Sequence, residues 1–356
     1  MGWKSMDPRL TERYSRQILF AEIGEAGQER LLASSAVLVG CGALGTAAAN
    51  LLVRAGLGRL RIVDRDFVEA SNLQRQTLFT ESDALDALPK AVAAERRLRE
   101  INSDVTVEGI VADLGPKNAE ELLGGFPLLL DGTDNFETRL LLNDVAIHRG
   151  VPWIYAAAVA SYGVTMTIRP GETPCLACLI EAEGDSPGAR TALGAEETCD
   201  TVGVLAPAAT AIASLEAAEA IRLLSLGSGA PDASGGMLIS LDVWTGHSQT
   251  IRVARRSSCR ACVRRELNYL EGDAQPHVTM CGRDSVQIHE RRRQIDLAEL
   301  ERRLAPIASD VRQNSFLLRF RVPPYELTVF ADGRAIIKGT RDPGTARSLY
   351  ARYIGY

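Results

Sequence analysis

The stretch AVLVGCGALGTAAANLLVRAGLGRLRIVDRDFVEASNLQR, residues 36–75, decides the fold. Its first four residues are an apolar run that reads as a buried strand. The turn Gly40-Cys41-Gly42-Ala43-Leu44-Gly45 follows, and then an alanine- and leucine-rich helix over 46–54. Gly56 and Gly58 end that helix, and residues 60–63 form a second strand closed by Asp64. This is a βαβ unit with G-x-G-x-x-G at its first turn and an acid about twenty residues on. Gly40, Gly42 and Gly45 let backbone N–H groups approach a pyrophosphate, and the helix N-terminus adds a favourable dipole. Asp64 is placed to accept hydrogen bonds from a ribose. The pattern alone admits any nucleotide or dinucleotide, and an NAD- or FAD-dependent oxidoreductase is one reading of it.

The residues beyond Asp64 change that balance. Asp66, Ser71, Asn72, Gln74, Arg75 and Gln76 gather polar groups past the strand's carboxyl end, where open α/β sheets bind ligands. A nicotinamide needs an apolar slot there, whereas Arg75 together with Lys90 suits a triphosphate. Through D-R-D-F-V-E-A-S-N-L-Q-R-Q, residues 64–76, the chain resembles the ThiF/MoeB family, relatives of the ubiquitin-activating enzymes. The resemblance covers about residues 10–270. It implies an adenylyltransferase that uses ATP and Mg²⁺ to activate the C-terminal glycine carboxylate of a ubiquitin-like sulfur-carrier protein ending in Gly-Gly. Carriers of the thiamine and molybdopterin types both fit, with sulfur from a separate donor such as a cysteine desulfurase or a rhodanese. It also implies a homodimer, because R-Y-S-R-Q-I, residues 13–18, matches a motif whose second arginine, here Arg16, reaches the partner subunit's nucleotide. Lys90 is the family's phosphate-contacting lysine. One departure stands out: the family commonly shows G-x-G-G-x-G, and Ala43 replaces the third glycine.

Residues 11–32 read as a helical lead-in broken at Gly24, with Arg13 and Arg16 on one face where that segment is helical. From spacing alone a solvated basic face is the commoner reading, which the family resemblance reverses. A helix over 90–102, strands over 105–112 and 126–130 and a helix over 139–148 continue the α/β alternation. Strands over 153–158 and 162–169 bring the doubly wound region to about Arg169. The strand before Asp131-Gly132-Thr133-Asp134-Asn135 ends in carboxylates, and Mg²⁺ is usually held by one or two carboxylates plus substrate phosphates. Asp134 is the expected Mg²⁺ ligand and Asn135 a neighbour of the nucleotide, while a plain Asx-rich turn is the alternative reading.

Cys175-Leu-Ala-Cys178 and Cys259-Arg-Ala-Cys262 are two C-x₂-C pairs, which read as a four-thiolate structural Zn²⁺ site. Cys199 lies between them, upstream of a helix opened by Pro207. The pattern T-C-x-x-x-G-V-L-x-P resembles the family position where a thiolate handles the activated carrier, and a small buried packing residue is the competing reading. Cys41 and Cys281 read as packing. The four histidines show no ligand or triad spacing.

The expected organisation is an N-terminal helical segment (1–35), a Rossmann-like nucleotide-binding region (36–169) and a crossover, carrier-binding and zinc region (170–270). A polar linker then leads to a small α+β accessory unit (278–356). A net charge of −5 argues against nucleic acid or an anionic membrane as the main partner. The apolar segment 202–226 carries Glu216, Glu219 and Arg222 and reads as a buried helix, not a membrane span. Seven cysteines with no secretion signal suggest a cytoplasmic protein. Two rivals to the carrier reading are the oxidoreductase and a relative that activates a tRNA-linked carboxylate. A scaffold with a degenerate site is weakened because every charged motif position is intact.

Overall fold

A computed structural model describes residues 7–180, 202–226, 236–272, 277–280, 285–288 and 294–355. It divides into two compact units between Gly272 and Asp273. In the first unit the central strand is β1 (Ser35–Val39), whose Ala36, Val37 and Leu38 are fully buried, as a parallel strand covered on both faces must be. It pairs in parallel with β2 (Arg59–Asp64) on one side and β4 (Leu129–Asp131) on the other. With β3 (Thr106–Val111) outside β2 and β5 (Trp153–Val159) outside β4, the order is β3-β2-β1-β4-β5. The order reverses between β1 and β4, so the ligand crevice lies beyond the carboxyl ends of those two strands.

The sheet does not stop near Arg169. The strand β6 (Tyr162–Ile168) turns antiparallel against β5, and β7 (Met237–Asp242) and β8 (His247–Arg252) continue it, giving eight strands. Strands of the crossover and zinc region thus belong to the same sheet as the nucleotide-binding strands, a pairing that lies too far apart in sequence for local pattern to reveal.

The long helix Ala206–Leu226 packs Ala209, Ile212 and Ala213 against Leu44, Ala47 and Ala48 of the helix Ala43–Ala55. Alanines on both surfaces let the two backbones approach closely. At the N-terminus, Arg13 and Arg16 do not share a continuous helix. Helix Pro8–Arg13 ends at Tyr14, with φ −100° and ψ 13°, and a separate short helix Ser15–Ile18 follows. The break is made by Tyr14 turning inward, where its hydroxyl accepts a hydrogen bond from Asn102 Nδ2 at 2.9 Å. Gly56 makes room for that ring, since a Cβ there would stand 2.6 Å from it, and its φ of +87° closes the preceding helix.

The second unit is a six-stranded antiparallel sheet. Its strands are β9 (His277–Met280), β10 (Ser285–Ile288), β11 (Ser309–Gln313), β12 (Leu317–Val322), β13 (Tyr325–Phe330) and β14 (Ala335–Lys338). They run in the order β11-β12-β13-β14-β10-β9. Leu318, Phe320, Leu327, Val329 and Ile337 share one face and pack against helices Leu297–Leu304 and Pro343–Tyr353. Asp296 and Asp342 cap those helices by accepting N–H bonds from their first turns. The α+β class is as expected. Among the described residues, no helix is long and apolar enough to cross a membrane.

Candidate functional site

The crevice is built from three chain crossings. Gly40 leaves β1 with φ +88°, and a Cβ on it would stand 2.5 Å from the Gly132 carbonyl. A Cβ on Gly132 or on Gly45 would overlap the Gly40 carbonyl oxygen. These three glycines are required because the backbones of the two strand ends and the helix start touch one another. Gly42 differs: the nearest atom to a Cβ there is Gln76 Nε2, 3.9 Å away. Its bareness serves no protein neighbour and leaves open space above the helix N-terminus, which fits a nucleotide phosphate. Ala43 is the first residue of that helix and is partly buried against the small-residue cluster, so its methyl is accommodated.

Asp64 ends β2 and clamps the turn. Its Oδ2 accepts from Cys41 N at 2.5 Å and its Oδ1 from Asp66 N at 2.7 Å. Burial pushes its carboxyl pKa up, the Lys90 ammonium opposes this, and the Asp66 charge adds to the rise. Lys90 is only 3% exposed and sits at the first position of helix Lys90–Ile101. An ammonium at the positive end of a helix dipole, and desolvated as well, persists only where anions compensate it. Asp66 supplies one, with Oδ2 3.2 Å from Lys90 Nζ, and the Lys90 N–H donates to the Asp66 carbonyl at 2.9 Å.

Asn72 is buried and its Oδ1 accepts from Glu69 N at 3.0 Å, closing a short turn at 70–72. Arg75 is half-buried, and its Nη1 donates to Ser71 O at 2.8 Å. Gln76 is buried, and its Oε1 has no hydrogen-bond partner among the described residues. An unsatisfied buried amide beside an open glycine turn again fits a bound ligand.

Across the crevice, the D-G-T-D-N segment separates into roles. Asp131 is wholly buried at the end of β4, paired with Arg139 Nε at 3.1 Å and accepting from Thr133 N and Oγ1 at 2.9 and 2.7 Å. Arg139 also donates to the Thr133 carbonyl at 2.7 Å. Asn135 Oδ1 accepts from Thr138 N at 2.8 Å and caps helix Phe136–Arg149. Asp134 alone of the acids is exposed. The strand end is therefore held by an internal ion pair, while Asp134 presents its carboxylate to solvent.

Sequence reading missed a third carboxyl. Glu216, from the middle of the long helix, is wholly buried, and its Oε1 accepts from Asp131 N at 3.0 Å. Its Oε2 has no partner among the described residues. Burial first, and the Asp131 charge second, push its pKa well above the carboxylate range. The signal was present, since Glu216 lies on the helical stripe marked by Ala209, Ala213 and Ala220. A group whose folded pKa is raised contributes most below its unfolded pKa and loses that contribution as pH rises. Above about pH 4.3, wild type should lose up to about 1.4 kcal/mol per pH unit relative to Glu216→Gln, until the buried carboxyl itself ionises. Melting curves of the two proteins across the pH range test this, and parallel pH profiles would contradict it.

Arg16 is exposed on helix Ser15–Ile18, and no hydrogen bond among the described residues ties it to this crevice. Cys199, the expected thiol, lies outside the described residues.

The two C-x₂-C pairs converge. Cys175 Sγ is 3.9 Å from Cys178 and 3.6 Å from Cys259, and Cys178 Sγ is 3.5 Å from Cys262. All four sulfurs lie within 4.8 Å of one another. Four thiolates about 2.3 Å from a tetrahedral Zn²⁺ stand about 3.8 Å apart, so the donor set fits that ion with no open position. Helix Phe136–Arg149 supports both arms: Asn143 Oδ1 accepts from Leu176 N at 2.9 Å, and Asp144 pairs with Arg260 at 3.3 Å.

Sheet order, glycine turn and polar crevice define a Rossmann-like nucleotide-binding protein. Residues 14–261 match the ThiF family, and the chain belongs to it. The sulfur carrier protein ThiS adenylyltransferase of Bacillus subtilis (strain 168) is 43% identical over 350 residues, covering 97% of this chain and 100% of that protein. The molybdopterin-synthase adenylyltransferase of Salmonella typhimurium is 37% identical over 252 residues, covering 70% of this chain and 95% of that one. Among solved structures, Escherichia coli MccB superposes with a TM-score of 0.61 at 22% identity, covering 70% of this chain and 73% of that one, a likeness of fold.

Proposed function

We propose that this chain is an ATP-dependent adenylyltransferase acting on the C-terminal glycine carboxylate of a ubiquitin-like sulfur-carrier protein of the ThiS type, ending in Gly-Gly. The observation that carries this reading is the 43% identity to the Bacillus subtilis relative across the whole of that protein. An oxidoreductase reading of the glycine turn has no support in the family.

A carboxylate oxygen of the carrier attacks the α-phosphorus of ATP. The bond from that phosphorus to the bridging oxygen breaks, and pyrophosphate leaves with the electron pair. The product is an acyl-adenylate. The protein's share is positioning and charge neutralisation. Gly40, Gly42, Ala43 and Gly45 receive the phosphates at the helix N-terminus, and Asp64, Asp66, Asn72, Gln76 and Asn135 orient the nucleotide. Lys90 and Arg75 offset the phosphate charge, and Asp134 holds Mg²⁺, which would polarise the phosphate oxygens. The four described cysteines of the two pairs hold Zn²⁺ as a structural clip. Cysteines kept for metal, with no disulfide among the described residues, suit a reducing cytoplasm.

The dimer is part of this proposal. If Arg16 completes the partner's site, Arg16→Ala mixed with Lys90→Ala should regain part of the activity that each lacks, because mixed dimers hold one undamaged site. A cross-subunit arginine in related phosphoryl chemistry is worth roughly 10³–10⁵ in rate. No recovery once subunit exchange is demonstrated would place Arg16 within its own chain's chemistry or outside it.

In the second step the outer sulfur of a donor persulfide attacks the acyl carbon and AMP leaves, giving an acyl disulfide. The Cys199 thiolate then attacks the donor sulfur of that disulfide, so the S–S bond breaks, the thiocarboxylate leaves and a Cys199–donor disulfide remains. Adenylation itself needs no protein nucleophile, so the steps should separate. Cys199→Ala is expected to keep pyrophosphate exchange and to lose most thiocarboxylate, read by the carrier's mass. A normal thiocarboxylate yield would make Cys199 a packing residue.

A further inference from the structure

The second unit carries charge of the opposite sign to the rest of the chain. From residue 273 onward there are 14 arginines and lysines against 10 carboxylates, +4, in a chain of net −5, so residues 1–272 carry −9. Part of that charge is arranged in cross-strand rows on the face of the sheet opposite the helices. One row is neutralised internally. Arg321 on β12 faces Glu326 on β13, which faces Lys338 on β14, and Arg321 bonds Glu326 at 3.0 Å and Asp310 at 3.3 Å. This is the alternation that stabilises paired strands.

The neighbouring row breaks the rule. Arg312 on the edge strand β11 lies directly opposite Arg319 on β12, and Arg319 in turn faces the uncharged Thr328. Like charges directly opposite are destabilising by a few tenths of a kcal/mol or more. No ion pair to either guanidinium is found among the described residues, although Glu326 and Asp310 stand in the adjacent row. Asp310, Arg312, Arg319, Arg321 and Glu326 line a cleft of about 130 Å³.

We propose that the Arg312–Arg319 pair is a docking site for a carboxylate-rich segment of a partner protein, seated across the β11–β12 edge. Two adjacent planar forks accept carboxylates bidentately. A nucleic acid fits less well. None of the five lining residues is aromatic, so no base finds a stacking platform, and the interleaved carboxylates oppose a continuous phosphate backbone. The proposal does not rest on the adenylylation reading, since none of these residues belongs to the nucleotide crevice.

The test uses the full chain and a fluorescent oligoglutamate peptide, with a labelled single-stranded oligonucleotide of equal charge and inorganic phosphate as competitors. Expected are salt-sensitive binding of oligoglutamate and its weakening by about tenfold or more in the double variant Arg312→Glu/Arg319→Glu. Pyrophosphate exchange by the same variant should be unchanged, which also shows that it is folded, and Arg312→Lys/Arg319→Lys should bind between the two. No oligoglutamate binding would overturn the proposal and leave the arginines as a guard of an exposed sheet edge. Equal binding by the charge-reversed variant would overturn it as well. Tighter binding of the oligonucleotide, lost in the same variant, would replace the acidic protein with a nucleic acid.

Discussion

Asp134→Ala is expected to lower carrier-dependent exchange of pyrophosphate into ATP by roughly a thousandfold or more, since metal and oxyanion stabilisation supplies several kcal/mol of transition-state binding. Its melting temperature should stay at the wild-type value. The two expectations come from one contrast within a five-residue segment. Asp131 is buried in an ion pair with Arg139 and holds the strand end, so its loss would unfold or distort the crevice. Asp134 is exposed three residues later and carries none of that load. Asp131→Ala should therefore lower stability together with activity, and Asp134→Ala activity alone. Exchange near the wild-type rate in the Asp134 variant would remove this residue from the chemistry.

The second large effect concerns the four thiols. Metal analysis should find about one Zn²⁺ per chain, and structural zinc contributes roughly 10–16 kcal/mol of apparent binding energy in small modules. Cys178→Ser or Cys262→Ser should depress the melting temperature more than any surface substitution. The reach of the damage follows from what the thiols connect. The segments bearing Cys175 and Cys259 are separated by more than eighty residues, yet their sulfurs are 3.6 Å apart. Both are tied to helix Phe136–Arg149 through Asn143 and Asp144. Without metal, three buried thiols and a half-buried one would retain only weak S–H contacts. A metal-free preparation with unchanged melting would contradict the assignment.

How much of this was legible in the sequence depends on how local each cause is. The βαβ unit could be read because strand, turn and helix follow one another within about forty residues, with Gly40 and Gly45 at contacts that forbid a side chain and Gly42 leaving open space. The C-x₂-C pairs could be read because a metal imposes spacing. Asp64 was assigned a ribose on pattern, while the structure shows its carboxylate bonded to the N–H groups of Cys41 and Asp66. The Arg139 and Glu216 contacts to Asp131 span 8 and 85 residues, and no local period carries them. Strand β11, Ser309–Gln313, was missed because SDVRQ has one apolar residue and lies at an exposed edge, where no alternation is required. Residues 277–280 and 285–288 are two antiparallel strands, paired across a connection too short for local pattern to show. The helix break at Tyr14 escaped because residues 11–18 contain neither glycine nor proline to announce it.

The central claim is that this crevice transfers an adenylyl group to a carrier's C-terminal carboxylate. The most direct measurement is intact mass spectrometry of a small Gly-Gly-ending ubiquitin-like carrier after incubation with the enzyme, ATP and Mg²⁺, with no sulfur donor added. The account predicts a carrier heavier by one adenylyl group, released as free carrier and AMP by hydroxide. It also predicts that a carrier lacking its last glycine stays unchanged. An unmodified full-length carrier in an enzyme preparation shown to bind ATP would contradict it.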